Sequence, residues 1–191
     1  MKGKVIIISA PSGCGKSTII GRLMDAGTLD LQFSVSATNR KPRTGETDGV
    51  SYHFLTDEQF RKAIADDAFV EYEEVYPGRF YGTLKSEVER RRDEGHNVVL
   101  DIDVKGGVNV KKLYGDDAVS IFIMPPSVDE LRRRLTGRAT DPQEEIDRRV
   151  GKAEYEISFA PAYDVTVVND DLDTAVGEVD KCIRRFTTPH A

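Results

Sequence analysis

A glycine-rich loop between a buried strand and a helix constrains this 191-residue chain more than any other sequence feature. Residues Lys4 to Ser9 read KVIIIS, an apolar, β-branched run that is typical of a central parallel strand buried on both faces. A helical pattern follows from about Thr18 to Ala26, and Gly27 supplies a C-terminal cap. The intervening residues read APSGCGKST, which fits the phosphate-loop motif in exactly the strand-to-helix context that the motif requires.

Further buried strands follow the first one at regular intervals. They read NVVLDI at 97–102, VSIFIM at 119–124 and VTVV at 165–168, and a helical pattern separates each from the next. Strands that alternate with helices in this way predict an α/β fold with a doubly wound parallel sheet.

Two stretches interrupt that alternation. From about residue 34 to residue 86, short strands at Tyr52–Leu55 and Val70–Tyr76 flank a helix at Thr56–Ala65, which indicates a small mixed insertion. From Arg132 to Arg149 the chain is dense in charge and contains six arginines, which predicts an exposed, mobile flap.

Composition limits the partners that this chain can bind. Its 27 Lys and Arg against 33 Asp and Glu give a net charge of −6, so no overall attraction exists for nucleic acid or for an anionic membrane. Any basic site must therefore be local. The apolar run at residues 5–8 is too short for a signal sequence or a membrane span. Only two cysteines, Cys14 and Cys182, are present, which favours a reducing compartment, the cytoplasm.

The phosphate loop assigns the first candidate binding residues. Gly13 and Gly15 let backbone N–H groups converge on phosphate oxygens, Lys16 reaches the β- and γ-phosphates, and Ser17 ligates Mg²⁺. Asp101 ends a buried strand, where a carboxylate can hold Mg²⁺ through water. The predicted ATP-binding residues of the loop are Ala10, Pro11, Ser12, Gly13, Cys14, Gly15, Lys16, Ser17 and Thr18.

Cys14 has two interpretations. The helix N-terminus would lower the pKa of its thiol, whereas a role as a small apolar filler requires no reactivity. The filler interpretation is favoured.

Phosphate loops serve switches, motors and kinases, and the remaining motifs separate these classes. A GTPase switch would carry an N-K-x-D element, and this string does not occur in the sequence. Residues Asp103 to Gly106 match D-x-x-G, but two fixed positions are weak evidence. The sequence therefore disfavours a switch.

In its motifs and their order, the chain resembles the guanylate kinase family. The resemblance spans nearly the whole chain in the family's order: SAPSGCGKST, SVSATNRKPRTGETDGVSYHF, FVEYEEVYPGRFYGT, VVLDIDVKGG, IFIMPPS, RRRLTGRATD and VVNDD. It implies a P-loop NTPase-type core at 1–33, 87–130 and 150–191, an inserted mixed α/β GMP-binding lobe at 34–86, and a small helical lid at 131–149. The implied reaction is the Mg²⁺-dependent transfer of the ATP γ-phosphoryl group to GMP, with dGMP as a further acceptor.

The resemblance also implies a set of GMP-binding residues. Arg40 and Arg43 would clamp the phosphate, and tyrosine hydroxyls would add donors to it. Glu71 would accept from the N1–H and 2-amino groups of guanine, and hydroxyls would lie near O6. The implied set is Ser36, Arg40, Arg43, Tyr52, Glu71, Tyr81, Thr83 and Asp103.

Transfer itself needs positioning and charge neutralisation more than a base. The second pKa of a phosphate monoester is about 6, so GMP oxygens are already mostly deprotonated, and no general base is assigned. Arg134, Arg138 and Arg149 match the family's lid arginines, and Asn169 matches a position near the adenine. The implied catalytic residues are Lys16, Arg40, Arg134, Arg138 and Arg149.

Two alternatives remain beside this interpretation. A non-catalytic, guanylate-kinase-like binding module would be expected to lack the loop lysine and the lid arginines, and the sequence retains both. Another P-loop small-molecule kinase would be expected to lack Glu71, Arg40 or Arg43, and all three are present.

Overall fold

The computed structural model describes residues 1–137 and 143–188, with the side chain of Glu145 excepted. In chain order the strands are β1 (Val5–Ser9), β2 (Leu31–Phe33), β3 (Ala37–Thr38), β4 (His53–Phe54), β5 (Phe69–Tyr76), β6 (Arg79–Leu84), β7 (Asn97–Asp101), β8 (Ala118–Met124) and β9 (Val165–Val168). The helices are α1 (Lys16–Ala26), α2 (Asp57–Ala65), α3 (Lys85–Asp93), α4 (Val104–Tyr114), α5 (Val128–Gly137), α6 (Gln143–Ile157) and α7 (Leu172–Thr187).

The larger sheet is parallel and has the strand order β2-β7-β1-β8-β9 in the described residues. Alternate residues of β1 point to opposite faces: Ile6 and Ile8 pack beneath α1, α5, α6 and α7, while Val5 and Ile7 pack beneath α3 and α4. The strand is buried on both faces, as the apolar run predicts. The predicted doubly wound α/β fold is confirmed.

The stretch between β2 and α3 forms a second, mixed sheet with the strand order β4-β3-β6-β5. Phe60 of α2 stacks on Phe69 and Phe80, with ring centroids 4.5 and 5.5 Å apart, and so gives this sheet its own apolar cluster. The predicted helix and the strands around it are present, and β3 and β6 are additional strands that the pattern did not predict.

The described parts of the charged stretch are helical. Leu131 and Leu135 of α5 and Ile146 and Val150 of α6 are buried in the main apolar cluster, and Arg132 is paired with Asp147 across the two helices. The prediction of an exposed flap therefore holds only for the outward side chains of these helices. Within the described ranges, no helix combines the length and apolarity needed to cross a membrane.

Candidate active site

The phosphate loop wraps a cavity of about 620 Å³ at the carboxyl end of β1. Gly13 and Gly15 have φ values of +91° and +82°, which L side chains rarely adopt. A Cβ on Gly15 would also lie 2.6 Å from Nδ2 of Asn169. Glycine is therefore required at this position for both its backbone conformation and its close contact. The whole predicted loop, residues 10–18, lines the cavity.

Lys16 and Asp101 meet inside this cavity. The Lys16 Nζ lies 2.5 Å from Oδ1 of Asp101 and 3.4 Å from the carbonyl oxygen of Ile102. Ser17, in the first turn of α1, lines the same cavity. The structure thus brings together the three side chains from which the sequence predicts phosphate and metal binding.

Cys14 is buried against the apolar core and is 1% exposed. Burial raises the pKa of its thiol to about 12, which outweighs the lowering effects of the positive charges of Arg134 and Lys16. The thiol is therefore a filler, as the sequence analysis favoured, and not an acidified nucleophile.

Asn169 ties the strand end of β9 to the phosphate loop. Its Nδ2 donates to the Cys14 carbonyl oxygen over 2.8 Å, and the residue is 5% exposed. Arg134 donates to the Asn169 carbonyl oxygen (2.8 Å) and to Glu130 Oε1 (2.7 Å). Both residues line a second cavity of about 450 Å³ beside the loop, together with Gly13, Gly15 and Thr18.

Of the other predicted lid arginines, Arg149 is half-buried on α6, and Arg138 lies outside the described residues.

The mixed sheet carries a smaller pocket of about 190 Å³ that faces the core. Five of the predicted GMP-binding residues line it: Ser36, Tyr52, Glu71, Tyr81 and Asp103. Asp101, Ile102 and Asp103 line both this pocket and the phosphate-loop cavity. The two binding spaces therefore adjoin at one wall, which is the arrangement that a transfer between two bound molecules requires.

Glu71 is one of four carboxylates that line the smaller pocket, with Glu73, Asp101 and Asp103. Burial raises the pKa of Glu71, the hydrogen bond from Thr83 opposes this effect, and the charge of Asp103 adds to it. Thr83 Oγ1 donates to Glu71 Oε1 over 2.7 Å, so one carboxylate oxygen already has a partner from the same sheet. Thr83 is therefore a positioning partner of Glu71.

Asp103 has a structural role that the sequence did not predict. It is the N-cap of α4, and its Oδ1 accepts from the backbone N–H groups of Lys105 (2.7 Å) and Gly106 (2.8 Å). One carboxylate oxygen is committed to the helix, and the other remains for a ligand in the pocket.

Arg40 is held by Glu46, a residue that the sequence analysis missed. Two parallel hydrogen bonds of 2.6 Å join the guanidinium to the carboxylate, and the Arg43 backbone N–H donates to the same carboxylate over 2.7 Å. The Tyr81 hydroxyl accepts from Arg40 Nε over 3.2 Å, and the Tyr52 ring lies beneath the guanidinium, 4.9 Å away. A carboxylate three residues beyond the second arginine, after a glycine turn, was the available sequence signal.

Arg43 lines a neighbouring basic cavity of about 440 Å³, together with Lys41 and Arg79. Arg40 lines this cavity too and so connects it to Tyr52 and Tyr81. This cavity is a local basic site in a chain whose net charge is negative.

A second missed residue is Glu156 on α6. The residue is 6% exposed and is among those that line the phosphate-loop cavity. It stands outside every motif, so the sequence carried no signal for it.

A phosphate loop on a doubly wound sheet, whose cavity shares one wall with a second pocket on an inserted mixed sheet, is the arrangement of a P-loop kinase of the nucleoside monophosphate class. The guanylate kinase family profile matches residues 2–186. The guanylate kinase of Bacteroides fragilis is 57% identical over 185 residues, which cover 97% of this chain and 90% of that protein. The guanylate kinase of Porphyromonas gingivalis is 55% identical and covers 96% of this chain and 97% of its own length.

A solved structure gives the same result. The crystal structure of guanylate kinase from Anaplasma phagocytophilum has a TM-score of 0.72 and 31% identity, covering 98% of this chain and 88% of that chain. The present chain belongs to the guanylate kinase family, and it is a phosphotransferase that acts on GMP with ATP.

Proposed function

We propose that the chain transfers the γ-phosphoryl group of Mg²⁺-bound ATP to GMP, giving ADP and GDP, with ATP in the phosphate-loop cavity and GMP in the pocket of the mixed sheet. The observation that carries this residue-level proposal is the wall of Asp101, Ile102 and Asp103 that the two spaces share. It lets the terminal phosphate of one nucleotide meet the phosphate of the other without solvent between them.

Guanine is read by the carboxylate of Glu71. In its ionised form this carboxylate accepts from N1–H and the 2-amino group. Ser36 lines the same pocket, and the Thr83 hydroxyl donates to the Glu71 carboxylate. Adenine has an acceptor at N1, so it would face the carboxylate with acceptor against acceptor. This contact favours GMP over AMP.

The GMP phosphate is held by the arginines and tyrosines of the mixed sheet. Arg40 is fixed by Glu46 and Tyr81, and so presents a pre-oriented guanidinium. Arg43 supplies a second cation from the basic cavity, and Tyr52 supplies a hydroxyl. Together they position the attacking oxygen and balance its charge.

The donor triphosphate is held by the phosphate loop. Lys16 would leave Asp101 and move to the β- and γ-phosphates, while the N–H groups of residues 13–18 at the start of α1 bind the same oxygens. Arg134, Arg138 and Arg149 would neutralise the charge that spreads over the transferring group. Asn169 keeps the loop in shape through Cys14 and offers its side chain near the adenine.

The residues at the loop fit Mg²⁺. The hydroxyl of Ser17 and the carboxylate of Asp101 are hard oxygen donors in one cavity. No cluster of three or more His, Cys, Asp or Glu that could hold a metal occurs among the described residues. Two such donors leave most of the coordination of Mg²⁺ to nucleotide phosphates and water. When bound, Mg²⁺ neutralises phosphate charge.

Three further assignments belong to the proposal. Residues 34–86 act as the GMP-binding lobe, residues 131–149 as the lid, and the remaining segments as the core. The acceptors include dGMP, because every proposed GMP contact is to the base or the phosphate and none is to the ribose 2′-hydroxyl. The protein acts in the cytoplasm without a nucleic-acid or membrane partner, an assignment supported by its acidic net charge and two free cysteines.

The test is a coupled assay of ADP release with GMP, dGMP, AMP, CMP and UMP as acceptors. Turnover with GMP and dGMP, and at least about a hundredfold lower kcat/KM with the others, is the expected result. Equal turnover with AMP would contradict the assignment of Glu71. Nucleotide binding without any ADP release would instead support the non-catalytic module.

A further inference from the structure

His53 has a buried ring nitrogen that the proposed transfer does not use. Its Nε2 is closed off from solvent and has no hydrogen-bond partner among residues 1–137 and 143–188. The Oε2 of Glu87 lies 3.8 Å from this nitrogen. A nitrogen and an oxygen form a hydrogen bond at roughly 2.7 to 3.2 Å, so the two atoms face each other without forming one. A shift of roughly 1 Å would bring them within hydrogen-bond distance.

The pair lies at the junction between the mixed sheet and the core. His53 belongs to β4 of the mixed sheet, and Glu87 belongs to the first turn of α3, where the chain re-enters the core. Ser34, which follows β2 where the chain leaves the core, has a buried Oγ without a partner. Two of the three such side-chain atoms in the described residues therefore lie at this junction. Buried polar atoms without partners are costly, so the junction favours a rearrangement that supplies partners.

Glu87 is fixed on the core side of the junction. The residue is 7% exposed, and its carboxylate accepts from Arg91 Nε over 2.7 Å and from an Arg90 nitrogen over 3.1 Å. Burial raises the pKa of Glu87, but the hydrogen bonds from Arg91 and Arg90 outweigh this effect and leave the pKa below its ordinary value. Arg91 also donates to Gln32 of β2. The carboxylate is thus an ionised acceptor that is anchored to the core.

On the other side of the junction, His53 is attached to the wall of the proposed GMP pocket. Its chain neighbours Tyr52 and Phe54 lie against the Arg40 guanidinium, with ring centroids 4.9 and 5.5 Å from Cζ. Since side chains alternate along an extended chain, the His53 ring points away from Arg40 and toward α3. The His53 N–H donates to the Ser36 carbonyl oxygen over 2.9 Å, and Ser36 lines the pocket. A movement of the pocket wall therefore moves His53.

We infer that His53 is a positioning residue for GMP, whose Nε2 donates to Glu87 when GMP draws the mixed sheet toward the core. The proposed pocket has walls from both parts: Ser36, Tyr52, Glu71 and Tyr81 from the mixed sheet, and Asp101 and Asp103 from the core. A nucleotide that contacts both walls holds them together, and the hydrogen bond formed at the junction adds to its affinity. The inference rests on the proposed function, because it places GMP in this pocket.

A double-mutant cycle on GMP affinity tests the inference. His53→Phe keeps a ring and removes the donor, and Glu87→Met keeps the side-chain length and removes the acceptor. By calorimetry, His53→Phe should raise the Kd for GMP about tenfold in the wild-type background but less than about twofold in the Glu87→Met background. The loss of the arginine contacts of Glu87 is common to both members of the second comparison, so it cancels.

The same cycle on chemical unfolding without GMP separates positioning from a structural role. The coupling between the two substitutions should be smaller in unfolding than in GMP binding, because the 3.8 Å separation is too long for a hydrogen bond. His53→Gln, whose side-chain amide can reach the position of Nε2, should restore a Kd for GMP close to that of the wild type.

The matched control is a second histidine–carboxylate pair within the core. His96 Nδ1 lies 2.8 Å from Asp30 Oδ1, and neither residue lines the GMP pocket. The cycle of His96→Phe and Asp30→Asn should leave the Kd for GMP unchanged.

The outcomes separate the hypotheses. Equal effects of His53→Phe in the two backgrounds overturn the inference, and coupling that is confined to unfolding shows a structural role only and overturns it as well. A Kd in His53→Gln as high as in His53→Phe also overturns it. If His53→Phe does not fold, the cycle with His53→Ala decides by the same criteria. Failure of the wild-type chain to bind GMP would overturn the proposed function and the inference together, whereas binding without coupling overturns the inference alone.

Discussion

Glu46 is joined to Arg40 by two parallel hydrogen bonds of 2.6 Å, and it also accepts the backbone N–H of Arg43. One carboxylate therefore fixes both of the arginines that are proposed to hold the GMP phosphate. The Arg40 guanidinium holds the pKa of Glu46 at about 2, so this carboxylate is ionised at neutral pH. A bidentate pair of this kind sets direction as well as charge.

The first prediction concerns this pair. Glu46→Gln keeps the side-chain size but replaces one acceptor with an N–H₂ donor that faces Arg40, so the guanidinium loses its fixed direction. The KM for GMP should rise about tenfold, with little change in kcat or in the KM for ATP. Steady-state kinetics at varied GMP and at varied ATP check it. Asp66→Asn, which breaks an exposed ion pair with Lys62 on α2, is the control and should leave all three values unchanged. An unaltered KM for GMP in Glu46→Gln would show that GMP binding does not depend on the Glu46–Arg40 pair.

The second prediction separates guanine recognition from the transfer chemistry. In Glu71→Gln one acceptor is lost and a donor faces a donor, which should cost about 2 to 4 kcal/mol at a desolvated site. The kcat/KM for GMP should fall roughly 30- to 1000-fold, while calorimetric binding of the ATP analogue stays intact. If the affinity for the ATP analogue fell as much as the kcat/KM for GMP, the variant would be misfolded. A normal kcat/KM for GMP in a folded variant would mean that another residue recognises the base.

The third prediction is the pH dependence of GMP binding. Burial raises the pKa of Glu71, and only the ionised form accepts from both guanine donors. As the pH falls through this raised pKa, Glu71 takes up a proton and the affinity for GMP declines, at a higher pH than for an ordinary glutamate. Glu46, with its pKa of about 2, does not contribute to this decline.

Calorimetry of GMP binding between pH 4 and pH 8 measures this effect. Thr83→Val removes the hydrogen bond that lowers the Glu71 pKa, so the decline should begin at a still higher pH in this variant. A decline that is the same in wild type and Thr83→Val would assign the titration to another group.

The fourth prediction concerns the donor site. Lys16→Ala removes the fixed positive partner of the β- and γ-phosphates, and kcat should fall about a hundredfold or more. The melting temperature should change little, because the Lys16–Asp101 pair is partly exposed at the cavity wall. Lys62→Ala, on the surface of α2, serves as the control. Near-normal turnover in Lys16→Ala would contradict the phosphate-loop assignment.

The fifth prediction is a change of shape on binding. Residues 34–86 and 131–149, the proposed GMP-binding lobe and lid, interrupt the α/β alternation of the sequence, so a bisubstrate analogue that spans both spaces should draw them together. Small-angle X-ray scattering should give a smaller radius of gyration with this analogue than without nucleotide. Either nucleotide alone should give a smaller change, and an unchanged radius with the analogue would argue against closure.

Local sequence was sufficient for the first βα unit. The run KVIIIS has no polar face, so it must lie inside a sheet, and the glycines of the loop supply the positive φ values that turn it into α1. Ser127 shows the limit of such local signals. Ser127 and Glu130 have the spacing of a capping box, and the Ser127 hydroxyl accepts from the Glu130 N–H over 3.0 Å. The Glu130 side chain, however, pairs with Arg133 and Arg134 and does not return to the cap.

The strand β6 was missed because Gly82 interrupts its pattern. A Cβ there would lie 2.8 Å from the Glu71 carbonyl oxygen, so glycine is needed for the close approach of β5. Glycine disfavours a strand when the segment is considered alone, but at position 82 the pairing of β6 with β5 requires it. Such pairing cannot be seen in a single segment.

The sequence by itself determined the α/β alternation, the phosphate loop and, through the resemblance of many short segments, the family. Only the tertiary structure decided which buried polar groups have a hydrogen-bond partner and which do not. The Asn169 amide reaches Cys14 across 155 positions of the chain, and Glu156, which lines the same cavity as Cys14, has a buried oxygen with no hydrogen-bond partner among the described residues. Periodicity and capping depend on neighbours in sequence, whereas burial, pKa and hydrogen-bond partners depend on which distant segments the sheet brings together.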